Sequence, residues 1–198
     1  MENLSEKPTS KIAGLVLAAG ASRRAGPVNK LLIDIDGRGM VAVTTATTLA
    51  AGLDPVLVVT GFEAAAVAAA VANLDVRCIH NPQHQEGMAG AIRHGVAALG
   101  ADVAAVLICL GDMPWVKPAT LIALVDAFDA AAGREICRPV MSGKSGNPVL
   151  FGRRFFPALG GLQGDRGAKA VIDEHSQVVV NVAVDDAGIF KDLDVPDT

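Results

Sequence analysis

Cationic side chains and small residues concentrate in residues 17–30, whose sequence is LAAGASRRAGPVNK. Glycines let backbone N–H groups approach an anion closely. Arg24 offers a guanidinium that pairs with phosphate oxygens in a forked geometry, and Lys30 offers a mobile point charge. Because the chain as a whole carries a net charge of −4, this local concentration of cations indicates a polyphosphate site. A surface loop with solvated arginines is the alternative interpretation.

This segment lacks two common phosphate-binding patterns. A dinucleotide fold has GxGxxG after its first strand, whereas the glycines lie at positions 14, 20 and 26. A P-loop requires GxxxxGK[ST]. Residues 143–145 supply the GKS ending, but Arg138 stands where the first glycine is needed. The segment is therefore predicted to bind phosphate in another way.

Carboxylates follow the phosphate loop at two later points in the chain. Asp112 follows the apolar run 103–110 after a single glycine. A carboxylate at a strand end is a natural Mg²⁺ ligand beside bound phosphates. The alternative is that Asp112 starts a turn, because Asp before Met-Pro favours one. Asp192 and Asp194 form a second acidic group, for which a solvated tail is the alternative.

Apolar runs alternate with Ala-rich segments of helical pattern. The predicted strands are residues 12–19, 55–60, 76–80, 103–110, 135–141, 147–151 and 177–184. The predicted helices are residues 41–51, 63–72, 87–99, 118–131 and 168–175. Because the first four strands are almost continuously apolar, the pattern predicts one α/β domain over 11–198 with a mostly parallel sheet covered on both faces. Ligands bind at the carboxyl ends of such strands, so residues 17–30 and Asp112 are expected at one edge.

Composition narrows the functional class. The chain has 198 residues, of which 51% are hydrophobic, and its acidic balance argues against nucleic-acid binding. Three cysteines without a CxxC pair do not form a disulfide framework and favour a reducing compartment. Neither a signal peptide nor an apolar stretch of membrane-spanning length is evident, so a cytoplasmic protein is expected. The polar residues 1–10 are predicted to be a disordered tail.

Four motifs, met in order, resemble the MobA-like nucleotidyltransferase family, and most closely its molybdenum cofactor cytidylyltransferases. The family pattern LAAGxSxRMGxxKLL is matched by LAAGASRRAGPVNKLL, and its GDMP motif by residues 111–114. A GxPVLF segment running to GDxGAR is matched by residues 146–169, and an acidic closing motif by residues 192–197. The resemblance covers nearly the whole chain.

The resemblance implies a Rossmann-like three-layer sandwich of the nucleotide-diphospho-sugar transferase type. It implies Mg²⁺-dependent transfer of a cytidylyl group from CTP to the terminal phosphate of molybdopterin cofactor, releasing pyrophosphate. The nucleotide-binding residues that it implies are Leu17, Ala18, Ala19, Gly20, Ser22, Arg24, Lys30, Gly87 and Asp112. Of these, the catalytic set is Arg24, Lys30 and Asp112. The implied metal ligands are Asp112, Asp192 and Asp194, and the acceptor-binding residues are Gly146, Asn147 and Asp165.

Departures from the family pattern bear on the substrates. Guanylyl-transferring relatives tend to have LAGG where this chain has LAAG, and the methyl group of Ala19 would crowd a purine more than a pyrimidine. Residues 87–92 lack the serines common in the family, and Asn147 replaces a common His, so the acceptor stays open. The alternatives are a transferase that uses GTP or another phosphorylated acceptor, and a non-catalytic chaperone that hands molybdenum cofactor to a client molybdoenzyme.

Overall fold

Runs of valine, leucine and isoleucine form the strands of a central sheet, as the sequence predicts. A computed structural model describes residues 11–20, 29–164 and 167–192. The predictions made for the tail 1–10 and for Ser22, Arg24, Asp165 and Asp194 concern residues outside these ranges. The described strands are β1 (Lys11–Ala18), β2 (Asp34–Ile35), β3 (Arg38–Gly39), β4 (Val56–Thr60), β5 (Arg77–His80), β6 (Val103–Leu110), β7 (Ile136–Met141), β8 (Lys144–Ser145), β9 (Val149–Gly152) and β10 (Val179–Ala183).

The sheet is mostly parallel, which confirms the predicted fold class. Its strand order is β10-β7-β9-β6-β1-β4-β5, with β8 paired to β7. Strand β1 is parallel to both β4 and β6, and β7 is parallel to β10. Strand β9 runs antiparallel between β6 and β7. The short strands β2 and β3 form a separate antiparallel pair.

Helices cover both faces of this sheet and complete the three layers. The described α-helices are α1 (Met40–Ala50), α2 (Ala64–Ala70), α3 (Met88–Ala97), α4 (Pro118–Ala127), α5 (Phe156–Gly160) and α6 (Lys169–Glu174). Successive side chains of β1 enter opposite layers, because strand side chains alternate. Leu15 shares an apolar cluster with Ile92 of α3, whereas Val16 shares the other cluster with Val41 of α1.

Helix boundaries differ from the sequence prediction where no apolar periodicity marks them. The helix predicted over 118–131 ends at Ala127, because Phe128 has an extended backbone and Asp129 pairs with Arg134 in the following turn. Helix α5 was not predicted, since its short FPALG sequence lacks a full amphipathic repeat. None of the described helices combines the length and apolar composition needed to cross a bilayer.

Candidate active site

Strand register brings three chain segments together at the carboxyl edge of the sheet. Leu17 of β1 pairs with Leu110 of β6, and Ala18 pairs with Thr60 of β4. The residues that follow each strand are therefore neighbours. The N–H of Gly111 donates to the carbonyl of Leu17 at 3.0 Å, which fixes the loop after β6 against β1.

Lys30 and Asp112 meet at this edge. The Lys30 Nζ lies 2.6 Å from the Asp112 Oδ2, and each side chain is 21% exposed. Asp112 does stand in a turn, which closes through a backbone hydrogen bond from Met113 to Leu110. Its carboxylate nevertheless faces Lys30. The structure thus joins two of the three residues that the resemblance makes catalytic, while the third, Arg24, lies outside the described residues.

A short capped turn holds Lys30 in place. Residues Lys30–Leu32 form a single 3₁₀ turn, and the side chain of Asn29 accepts a hydrogen bond from the N–H of Leu31 at 3.1 Å. Asn29 and Leu31 are both buried. The Lys30 ammonium therefore projects from a turn that is anchored in the core.

A cleft of about 430 Å³ opens beside the Lys30–Asp112 pair. Its lining consists of Leu17, Ala19, Gly20, Lys30, Leu31, His84, Gln85, Gly87, Met88, Ala91, Leu110, Asp112 and Asp192. Six of the predicted nucleotide-binding residues belong to this set. Ala18 does not, because its side chain is buried in the cluster on the α1 side of the sheet. Asp192 belongs to the set, so both carboxylates predicted to bind metal within the described residues border one cleft.

One wall of the cleft is a segment that the sequence analysis missed. His84–Glu86 forms a 3₁₀ turn, and Gly87 at φ +79° begins helix α3. Asn81 anchors this wall, since its N–H donates to Thr60 at 2.8 Å and its side chain accepts from Gln83 at 3.0 Å. The segment has no apolar period, so only the Gly-Met start of α3 marked it in the sequence.

Gly61 has a structural role beneath this wall. A Cβ atom added at Gly61 would lie 2.4 Å from the His84 Cβ and 2.7 Å from the Ala19 carbonyl oxygen. We expect Gly61→Ala to lower the free energy of unfolding by about 1–3 kcal/mol, because a backbone atom must move. Urea titration measures this change. Gly20→Ala is the control, since nothing lies within 4 Å of a Cβ at Gly20. Equal unfolding midpoints in the two variants would contradict the tight packing.

A second cleft of about 380 Å³ adjoins the first and shares Met88 and Leu110 with it. Its lining is Met88, Ile92, Ile108, Leu110, Arg138, Ser145, Gly146, Asn147, Val149, Phe151, Ala168, Lys169, Ile172 and Asp173. The two described residues predicted to bind the acceptor, Gly146 and Asn147, lie in this set. The Nε of Arg138 donates to the Asn181 side chain at 2.7 Å, which orients the guanidinium.

The donor atoms near the first cleft suit a hard cation that is only partly held by protein. Within the described residues, no three His, Cys, Asp or Glu side chains cluster to hold a metal ion by themselves. Asp112 and Asp192 supply carboxylate oxygens, which Mg²⁺ and Mn²⁺ accept together with phosphate oxygens and water.

Two of the cysteines have thiols of raised pKa. Burial raises the pKa of the Cys109 thiol to about 12 and that of the Cys137 thiol to about 11, so both thiols stay protonated near neutral pH.

Comparison with known proteins gives consistent matches along the chain. The profile of the MobA-like NTP transferase domain matches residues 14–178. The chain is 30% identical to the purine catabolism protein PucB of Bacillus subtilis strain 168, covering 94% of this chain and 93% of PucB. It is 29% identical to the nicotine blue oxidoreductase of Paenarthrobacter nicotinovorans, covering 92% of both chains.

A solved structure shows the same architecture. Rv0371c from Mycobacterium tuberculosis H37Rv superposes with a TM-score of 0.78 at 30% identity, covering 88% of each chain. A second structure of Rv0371c, in complex with manganese, superposes with a TM-score of 0.71 at 28% identity, again covering 88% of each chain. The matched profile range, residues 14–178, includes most of β1, strands β2 to β9 and helices α1 to α6, and it ends before β10 and Asp192.

Proposed function

The chain belongs to the MobA-like NTP transferase family, and we propose that it transfers a cytidylyl group from CTP to the terminal phosphate of molybdopterin cofactor. Pyrophosphate is the second product. Nucleotidyl transfer is the activity class of the family. The choice of CTP and of this acceptor is our own inference. The observation that carries the proposed nucleotidyl transfer is the Lys30–Asp112 pair, which borders a cleft at the carboxyl edge of the sheet.

The first cleft is proposed to hold the nucleoside triphosphate. Gly20 presents no side chain to the phosphates, and Lys30 supplies a positive charge beside them. Asp112 and Asp192 would hold Mg²⁺ through their carboxylate oxygens, together with phosphate oxygens and water. When bound, this ion neutralises charge on the triphosphate.

The chemistry proposed for the chain's own residues is positioning and charge stabilisation. A phosphate oxygen of the acceptor forms a bond to the α-phosphorus while the bond from the α-phosphorus to the bridging oxygen of the β-phosphate breaks. The electron pair of that bond leaves with pyrophosphate. Lys30 stabilises the negative charge that builds on the α-phosphoryl oxygens. No covalent enzyme intermediate is required, because both substrates are held in adjoining clefts.

The acceptor is proposed to bind in the second cleft. Partly exposed apolar side chains, among them Met88, Leu110 and Ile172, give this cleft a surface that suits the faces of a heterocycle. Arg138 and Lys169 add positive charge at its border, which suits a phosphorylated acceptor. Met88 and Leu110 belong to both clefts, so a phosphate that extends past them reaches the nucleotide.

The discriminating experiment is a pyrophosphate-release assay with CTP, GTP, UTP and ATP, each with and without purified molybdopterin cofactor. We expect release with CTP and cofactor together. Release with the cofactor and another nucleotide in preference to CTP would contradict the choice of CTP. Tight binding of the cofactor with no release from any nucleotide would instead favour a cofactor-carrying chaperone and contradict the proposed reaction.

Ala19 is proposed to set the preference for a pyrimidine. Its side chain is buried and borders the first cleft, so a methyl group occupies space that a larger base would need. We expect Ala19→Gly to reduce the ratio of CTP to GTP turnover by about tenfold, since one methyl group in a pocket has an effect of that size. Steady-state kinetics with both nucleotides measures the ratio. A parent enzyme that prefers GTP would contradict this role.

A further inference from the structure

One buried carboxylate, that of Asp186, connects the last described segment of the chain to helix α4. Asp186 is 2% exposed. Its Oδ2 accepts hydrogen bonds from the N–H of Lys117 at 2.8 Å and from the hydroxyl of Thr120 at 2.6 Å. Its Oδ1 accepts from the N–H of Gly188 at 2.9 Å. Three donors from two separate segments thus converge on one side chain.

The 3₁₀ turn that follows Asp186, Ala187–Phe190, packs between two loops that border the clefts. A Cβ atom at Gly188 would lie 2.2 Å from the Trp115 carbonyl oxygen, so this turn packs backbone to backbone against the loop that carries Asp112. On its other side, the N–H of Asn147 donates to the Ile189 carbonyl at 3.0 Å. The turn therefore touches the loop of the proposed acceptor cleft as well.

Asp192 follows this turn closely in the chain, with only Lys191 between the turn and Asp192. The N–H of Lys191 donates to the Gly188 carbonyl at 3.1 Å, and the next residue, Asp192, borders the first cleft. The position of Asp192 is consequently set by the same turn that packs against the Asp112 loop. Asp186 fixes that turn to the fold.

We propose that Asp186 is a positioning residue, which sets the separation of Asp112 and Asp192 around the nucleotide-bound metal ion. This inference rests on the proposed function, because it concerns the same metal site. Both carboxylate oxygens are needed as hydrogen-bond acceptors. An asparagine offers one acceptor oxygen and an NH₂ group, which cannot accept from the donors that Lys117, Thr120 and Gly188 present. The leftover donor and the displaced turn would shift Asp192.

Glu135 provides a matched control for a purely structural effect. It is also a buried carboxylate, 7% exposed, and it pairs with the Arg154 Nη1 at 3.1 Å. Glu135 precedes β7, at the amino edge of the sheet, and borders neither cleft. Loss of its charge is expected to lower stability without reaching the metal site.

The test measures Mn²⁺ affinity in the presence of CTP, by the electron paramagnetic resonance signal of free Mn²⁺, at a temperature where every variant is folded by circular dichroism. We expect Asp186→Asn to weaken this affinity by about tenfold or more, as is common when support for a metal ligand is removed. Glu135→Gln is expected to leave the Mn²⁺ affinity unchanged. Both Asp186→Asn and Glu135→Gln are expected to unfold at a lower temperature than the parent. Equal Mn²⁺ affinities in Asp186→Asn and the parent overturn the inference.

Two further variants keep the outcomes separable. Thr120→Val removes only one of the three hydrogen bonds, and we expect it to weaken Mn²⁺ affinity in the same direction by a smaller factor, even if Asp186→Asn does not fold. Asp112→Asn tests the metal site itself. If Asp112→Asn leaves Mn²⁺ affinity unchanged, the proposed function fails. If Asp112→Asn abolishes it and both Asp186→Asn and Thr120→Val retain it, only the positioning role fails.

Discussion

Asp112→Asn is expected to reduce the kcat/KM of pyrophosphate release by about a thousandfold, equivalent to about 4 kcal/mol of transition-state stabilisation. The substitution removes a proposed metal ligand and breaks the ion pair in which the Lys30 Nζ lies 2.6 Å from the Asp112 Oδ2. An asparagine at this position keeps the shape of the side chain and loses the charge. The same assay used with the four nucleotides measures the loss.

Asp54→Asn is a suitable control for the Asp112 experiment. Asp54 also pairs with a lysine, since its Oδ2 lies 3.2 Å from the Lys11 Nζ, but this pair is exposed and lies at the opposite edge of the sheet. Asp54 raises the pKa of Lys11, so its replacement moves that pKa back toward the ordinary value. Activity in Asp54→Asn should equal that of the parent. Parental activity and parental Mn²⁺ affinity in Asp112→Asn would show that Asp112 is not a metal ligand.

The fold was predictable because its strands are encoded locally. Each of the runs that form β1, β4 and β6 is apolar almost throughout and stops at a glycine, which is the pattern of a strand buried on both faces. The order and direction of the strands in the sheet depend less on the local sequence. Strand β9 was predicted as a strand, but its antiparallel insertion between β6 and β7 depends on packing that no short pattern carries.

The candidate site was predictable where chemistry and strand ends coincide. Lys30 and Asp112 are distant in the chain, yet both follow central strands, so the rule that ligands meet at carboxyl ends places them together. His84 and Gln85 were missed because a short polar turn after an edge strand resembles any surface loop. Asp186 was missed for a related reason. The sequence VDDAG looks solvated, and only the folded structure shows that one of its two carboxylates is buried against α4.

Lys30→Met is expected to change catalysis and metal binding in opposite directions. In the structure, the ammonium of Lys30 lies 2.6 Å from the carboxylate that is proposed to bind the metal ion. A metal ion must therefore compete with the Lys30 ammonium for the Asp112 carboxylate. Removal of the ammonium should therefore tighten Mn²⁺ binding without nucleotide by about three- to tenfold, the effect expected of a partly exposed charge pair. Pyrophosphate release should fall by about a thousandfold, because the charge on the α-phosphoryl oxygens loses its partner.

The same competition predicts how nucleotide and metal ion help each other to bind. We expect triphosphate oxygens to draw the Lys30 ammonium away from Asp112 and so to expose the carboxylate to the metal ion. CTP should therefore raise Mn²⁺ affinity in the parent by a larger factor than in Lys30→Met. Lys30→Arg keeps the positive charge and is the control, with nucleotide-free Mn²⁺ affinity near that of the parent. Titration of Mn²⁺ with and without CTP gives the coupling in all three proteins. If CTP raises Mn²⁺ affinity by the same factor in the parent and in Lys30→Met, the Lys30–Asp112 ion pair does not compete with metal binding. Lys30 then acts on the phosphates alone.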